Sequence, residues 1–321
     1  MYPLDTSLNQ LYDETIELIC GSSGLKYMRY RAIEFMLPEH AKDYSRPEFF
    51  SKLLAGIMKS LLIKRLDSSF FAFYQTLKRF VRASEAMLMM VANNKIIIAP
   101  NHRVEDYVLE GNEDELIEKL IEQEETEPGF KVLTREDFES EFLDGLKHDH
   151  ELLTRMADGW RQVIEREEDP KLEKFLSILD TELLSKSRNP EGKLVLFSES
   201  LDTTEYLKDK LASQGHVDIL SVNATNRTDL QPKIVGNFDA DIPLERQKSE
   251  YNMIITTEVL AEGVNLHRSN SILNYDTPWN STRLMQRIGR INRIGTKASK
   301  LHVYNFFPTE QVEGDIQLRS L

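Results

Sequence analysis

The chain has a single cysteine, Cys20, in 321 residues. That excludes an intrachain disulfide and a multi-cysteine zinc site, and a reducing, cytoplasmic setting is the expectation. Long apolar runs are also missing: Ile96 to Pro100 is strand-sized, and nothing reads as a membrane span or a signal segment. Positive charge is in deficit, with 40 Lys and Arg against 53 Asp and Glu for a formal charge of -13. Such a balance argues against nonspecific coating of nucleic acid, yet it leaves room for a local basic groove. The seven histidines show no metal-ligand spacing: His148 and His150 face apart on a helix, and His102 and His267 are isolated. Surface histidines and no metal site are expected.

Two further absences concern phosphate chemistry. There is no G-x-x-x-x-G-K-[S/T] loop to cradle phosphates and no D-E-x-H run to place a metal and a water. Repeats and low-complexity tracts are absent as well. Whatever phosphate chemistry the chain supports, it brings only part of the apparatus.

Two regions with different patterning are present. From Leu8 to about Ala92 apolar residues return every three or four positions, the mark of packed helices. Leu53, Leu54, Ile57, Met58, Leu61 and Leu62 form one stripe, and Phe70, Phe73, Tyr74, Leu77 and Phe80 continue it, as a helix pair or one long kinked helix. Lys64, Arg65, Lys78, Arg79 and Arg82 lie among them, either as a solvated face or as contacts to a phosphate backbone. Asn93 to Pro100 reads as a turn and short strand. Glu105 to Glu127 is strongly acidic, which disfavours nucleic-acid contact and suits a protein-docking surface. A polar helix follows, with a stripe including Leu146, Leu153, Met156 and Trp160, up to a junction at Glu165 to Pro170. A helix over Lys171 to Leu184 belongs with what comes after. The expected division is a mainly helical linker or protrusion over 1–170 and an α/β domain over 171–321.

In the second region short strands alternate with helices. Strands are expected at Lys193–Ser198, Val217–Val222, Met253–Thr256, Ser271–Tyr275 and Leu301–Phe306, and helices at Thr203–Gln214, Asp229–Phe238, near Glu258, and at Ser281–Ile288. This is the grammar of a parallel sheet with helices on both faces, whose ligand edge lies at the carboxyl ends of the strands.

Two segments at that edge carry chemistry. The strand ending at Thr256 runs into Thr257-Glu258-Val259-Leu260-Ala261-Glu262-Gly263-Val264-Asn265, where either threonine can cap a turn. The second begins at Asn274-Tyr275-Asp276-Thr277-Pro278-Trp279-Asn280-Ser281, in which Asn280 or Ser281 can cap the next helix. That helix carries Arg283, Arg287 and Arg290 at spacings that place them on adjoining parts of one face, with Arg293 three residues on. Guanidinium groups stay charged and grip phosphate through paired donors.

These residues resemble the C-terminal half of superfamily 2 helicases and translocases, in particular the Swi/Snf-like branch. Gln286, Gly289, Arg290 and Arg293 match the Q-x-x-G-R-x-x-R signature of motif VI, and Thr256 to Leu266 resembles motif V. Asp276 to Asn280 resembles the D-x-P-W-N passage, and Lys193 to Ser200 resembles motif IV, so the likeness covers about residues 190 to 306. Leu61 to Phe73 resembles the K-R-L-x-S-S-x-x-A-F segment found between the two motor domains of bacterial members. Glu258 stands where motif V often has Asp, and Ser281 where proline is common.

The resemblance implies a RecA-like fold that forms one side of an ATP site between two motor domains. Arg290 and Arg293 are then the residues that meet the terminal phosphates, with Gln286, Gly263, Glu262 and Asn265 on the cofactor side. Thr256, Thr257, Ser198 and Asn223 are then nucleic-acid contacts. The implied cofactors are ATP and Mg2+, the metal held mainly by an upstream RecA-like domain of a longer parent. DNA is the expected nucleic-acid partner, with RNA as the alternative, and no membrane is involved. The isolated chain is expected not to hydrolyse ATP. A competing reading is a noncatalytic protein-interaction module that retains the helicase fold.

Overall fold

A computed structural model describes residues 3–42, 47–98, 131–261, 263–278, 280–296 and 298–307. The acidic stretch 105–127, His102, Glu262 and Trp279 therefore lie outside the described residues. Two compact units are present: Thr6–Lys64 with Phe73–Arg166, and Met1–Asp5 with Arg65–Ala72 and Glu167–Leu321. The eight residues 65–72 belong with the sheet-bearing unit.

The first unit is built from helices. It contains α1 (Thr6–Cys20), a single turn α2 (Pro38–Ala41), most of α3 (Pro47–Ser68) and of α4 (Phe70–Ala92), and α5 (Ser140–Glu165). The stripe Phe73, Leu77, Phe80, Ser84, Met87 and Val91 is buried because spacings of three and four return one face of α4 to the core. Trp160 of α5 packs edge-on to Phe73 and Tyr12 at centroid distances of 5.5 and 6.4 Å, and its indole N–H donates to Thr15 Oγ1 at 2.9 Å. A short antiparallel pair, β1 (Ile96–Ile98) and β2 (Lys131–Leu133), closes one end. The buried Asp149 carboxylate accepts from the Lys26 and Met28 amides, both at 2.7 Å; burial raises its pKa and these hydrogen bonds oppose the rise. His148 and His150 do point apart, to Gly24 O at 3.2 Å and Ser84 Oγ at 2.9 Å.

α3 and α4 are two helices, not one. Ser69 separates them, and its Oγ accepts from the Ala72 amide at 3.0 Å as an N-cap.

The second unit is a five-stranded, all-parallel sheet: β3 (Leu194–Phe197), β4 (Ile219–Val222), β5 (Met253–Thr256), β6 (Ser271–Asn274) and β7 (His302–Asn305), in the order β4-β5-β3-β6-β7. The three central strands are buried along their whole length, and β3, β5 and the middle of β6 are accordingly apolar. Alternate residues feed opposite faces. Leu194 and Leu196 pack with Leu172 and Phe175 of α6 (Pro170–Ile178) and with Leu207 and Leu211 of α7 (Leu201–Ser213). Val195 and Phe197 pack with Ile234 and Phe238 of α8 (Arg227–Phe238) and Ile291 of α9 (Ser281–Ile291). The helix expected over Lys171–Leu184 loosens into a π turn at Leu179–Leu183. Among the described residues no helix is long and apolar enough to cross a membrane.

Candidate functional site

Strand register brings Val222, Thr256, Phe197, Asn274 and Asn305 into one row. The next residues on from this row, Asn223, Thr257, Ser198 and Tyr275, therefore share the carboxyl edge of the sheet. After β3 the chain places β5 on one side and β6 on the other, so the topological switch point lies at the ends of β3 and β6.

The arginine helix α9 starts from that edge. Asn280 caps it, its Oδ1 accepting from the Thr282 amide at 2.8 Å. The arginines do not act alike. Arg287 is fully buried: Nε donates to Glu258 Oε1 at 2.7 Å, Nη2 donates to the same oxygen, and Nη1 donates to Asn274 Oδ1 at 2.9 Å and to Asp276 O at 3.2 Å. Its guanidinium carbon also lies 5.2 Å from the Phe197 ring centroid. Arg283, Arg287 and Arg290 share adjoining parts of one face of α9, but Arg287 is buried against Glu258 while the other two are half-buried. Glu258 thus has a structural reason to be longer than the more common Asp: it reaches across to this guanidinium.

Arg290 is half-buried, with Nε 3.4 Å from Gln286 O, a long contact. Arg293 is exposed, and its Nε donates to Gly289 O at 3.1 Å. Neither is enclosed as Arg287 is, so both suit an ionic partner arriving from outside. Gln286 is half-buried one turn before Arg290.

The switch point is filled by the chain itself. Ser68 Oγ donates to Asp276 Oδ2 at 2.5 Å and lies 2.8 Å from Thr203 Oγ1 and 3.3 Å from Ser198 Oγ. Ser198 Oγ and the Glu199 amide complete the shell of the carboxylate, each at 2.6 Å. Lys171, also buried, donates to the carbonyls of Asp67 and Ser68 at 2.6 and 2.9 Å, capping the last turn of α3, and stands over the Tyr275 ring at 4.6 Å. Desolvation lowers the Lys171 pKa, while Asp67, Asp276 and Asp169 pull it back up. Arg65 Nη1 donates to Glu199 O at 3.1 Å. The K-R-L-D-S-S stretch is thus the piece that seats residues 65–72 on the sheet.

Other residues picked from the sequence divide by exposure. Ser198 and Thr256 are fully buried, the latter donating to Val222 O at 2.9 Å. As nucleic-acid contacts they need correction: their hydroxyls are spent inside the domain. Thr257 and Asn265 are half-buried at the edge. Asn223 is half-buried, and its Oδ1 accepts from Thr225 Oγ1 at 2.7 Å and from the Thr225 and Asn226 amides, both at 3.1 Å, shaping the turn into α8. Gly263 has φ +79°, and a Cβ there would lie 2.7 Å from Arg227 Nη2, so the motif V loop and the start of α8 approach closely. His267, expected on the surface, is buried, because its neighbours Leu266 and Arg268 are tied by backbone hydrogen bonds to Arg290 O and Phe238 O, both at 3.0 Å. Arg287 and Asp276 were visible in the sequence as parts of motifs, but their burial was not, and Lys171 carried no signal of its role.

Comparison with known proteins bears on this edge. The family "Helicase conserved C-terminal domain" matches residues 171–295. Residues 171–295 are thus a helicase C-terminal region. The chain is 35% identical over 126 residues to the uncharacterized ATP-dependent helicase YqhH of Bacillus subtilis, covering 39% of this chain and 21% of that protein. Eukaryotic initiation factor 4A-9 of Nicotiana tabacum is 28% identical over 156 residues, 47% of this chain and 32% of that one. The chain thus spans about a fifth to a third of these relatives' length. Among solved structures, the C-terminal part of the Fun30 ATPase domain aligns over 98% of this chain and 86% of its own, with 16% identity and a TM-score of 0.45.

Proposed function

We propose that the helicase domain supplies one side of an interdomain ATP site in a nucleic-acid motor, the other side being an RecA-like domain with a phosphate loop. The observation carrying this reading is the split among the arginines: Arg287 is saturated by Glu258 and Asn274, while Arg293, just past the C-terminus of α9, is exposed. A fixed, dehydrated helix base beneath outward guanidinium groups suits stabilisation of charge on a transferred phosphoryl group. ATP supplies the phosphoryl group, and Mg2+ belongs mainly to the partner domain, since no acidic D-E-x-H run exists in this chain. Arg290 and Arg293 meet phosphate oxygens, Gln286 orients the nucleotide or couples it to closure, and Gly263 and Asn265 with the neighbouring Glu262 relay its state to the nucleic-acid path. Thr257 and Asn223 are the edge residues placed to meet a strand.

Duplex DNA translocation is the favoured activity, because D-x-P-W-N at Asp276–Asn280 and the Ser68 segment resemble the Swi/Snf-like branch. The similarity to initiation factor 4A favours RNA as the second reading. The two are separated by which polymer, double-stranded DNA or single-stranded RNA, stimulates ATP turnover of the motor. Stimulation by neither would leave the noncatalytic interaction module as the better account.

A further inference from the structure

Asp239, Asp241 and His267 converge at the end of the domain where α8 stops. One carboxylate oxygen from each aspartate and one ring nitrogen of His267 lie within 4.8 Å of one another. The His267 side chain has no solvent exposure, and neither ring nitrogen has a hydrogen-bond partner. A buried imidazole in that condition calls for an explanation, since buried polar atoms are nearly always satisfied. Nε2 stands 3.3 Å from Asp241 Oδ1 and Nδ1 3.9 Å from Asp239 Oδ1. Two ligands about 2.1 Å from a tetrahedral ion are separated by about 3.4 Å, so the first pair already has a chelating separation.

The surroundings hold this geometry. The backbone links of Leu266 and Arg268 fix His267 from both sides, and the Asp241 amide donates to Asp239 Oδ1 at 2.9 Å, folding the acidic loop over it. Gly295, at φ +99°, passes so close that a Cβ would lie 3.0 Å from Asp241 Oδ1 and 3.4 Å from His267 Nε2. A cavity of about 90 Å³ bordered by Ala240, His267, Arg268 and Asn270 adjoins the cluster, room for waters to complete a coordination shell. Arg268 is turned away from the aspartates, donating to Glu191 Oε2 at 3.0 Å and Lys248 O at 2.7 Å.

We propose that Asp239, Asp241 and His267 form a binding site for a divalent transition metal. Two carboxylates and one imidazole suit zinc or manganese better than magnesium, which prefers oxygen alone. A bound ion would join the end of α8 to the His267 segment that leads into β6.

The test is zinc and cobalt titration of the chelator-treated full chain at neutral pH, with Asp241→Asn and Asp239→Asn alongside. Asp241 is 60% exposed, so its variant should fold normally. One equivalent of zinc, a cobalt absorption band, and at least about tenfold weaker binding in both variants are expected. In 15N NMR one His267 ring nitrogen should move on zinc addition. Binding unchanged in Asp241→Asn would overturn the site, because the ion would then be using other histidines. His267 ring nitrogen signals that do not move on zinc addition would also overturn it.

Discussion

Arg287 and Arg293 are six residues apart and do opposite work. Removing the Arg287 guanidinium leaves the buried Asn274 oxygen without its donor, while the Glu258 carboxylate, 31% exposed, can turn to water, so Arg287→Ala should lower stability by about 1–3 kcal/mol in denaturant melts. Arg293→Ala should change it by less than about 0.5 kcal/mol, as an exposed substitution. Lys193 offers a pH signature of its own. Burial, helped by the nearby Arg268 charge, lowers its pKa to about 8, although its ammonium donates to Tyr251 O at 2.9 Å and lies 4.8 Å from the Phe238 ring centroid. The unfolded chain holds that proton up to about pH 10.4 and so binds more protons than the folded one between these values. Stability relative to Lys193→Met should therefore rise from pH 8 to 10, by at most about 1.4 kcal/mol per unit. A flat difference across that range would show that Lys193 titrates normally.

At the scale of elements, the strands and helices of the sheet were legible because their signals are local: apolar runs bounded by turns, and an Asn cap at Asn280. The arginine segment was legible as a charged helix at a ligand edge. Which arginine points inward was not, since that depends on Glu258 reaching across from another loop. The Ser68 node was hidden for the same reason: Ser68 meets Asp276 and Ser198 across 208 and 130 residues of sequence. Without those partners Ser68-Ser69 reads only as a helix break. Asp276→Asn should destabilise by roughly 3 kcal/mol and Ser68→Ala by about 1–2 kcal/mol. A double-mutant cycle should return a coupling of at least about 0.5 kcal/mol, and additivity would place their effects elsewhere.

At the scale of the whole molecule, the proposed ATP site is one that this chain fills only in part. The isolated chain should show no turnover in a coupled ATPase assay, because it lacks a phosphate loop and an acidic metal-positioning run. Turnover that disappears in Arg293→Ala would contradict that expectation. The most direct measurement of the central claim is nucleic-acid-stimulated ATP hydrolysis by a motor containing this chain and its phosphate-loop domain, compared with its Arg290→Ala and Arg293→Ala variants. A loss of about 10³-fold in turnover, with the melting temperature and nucleic-acid affinity nearly unchanged, is the predicted result. Turnover within a few-fold of the unmodified motor in both variants would contradict it.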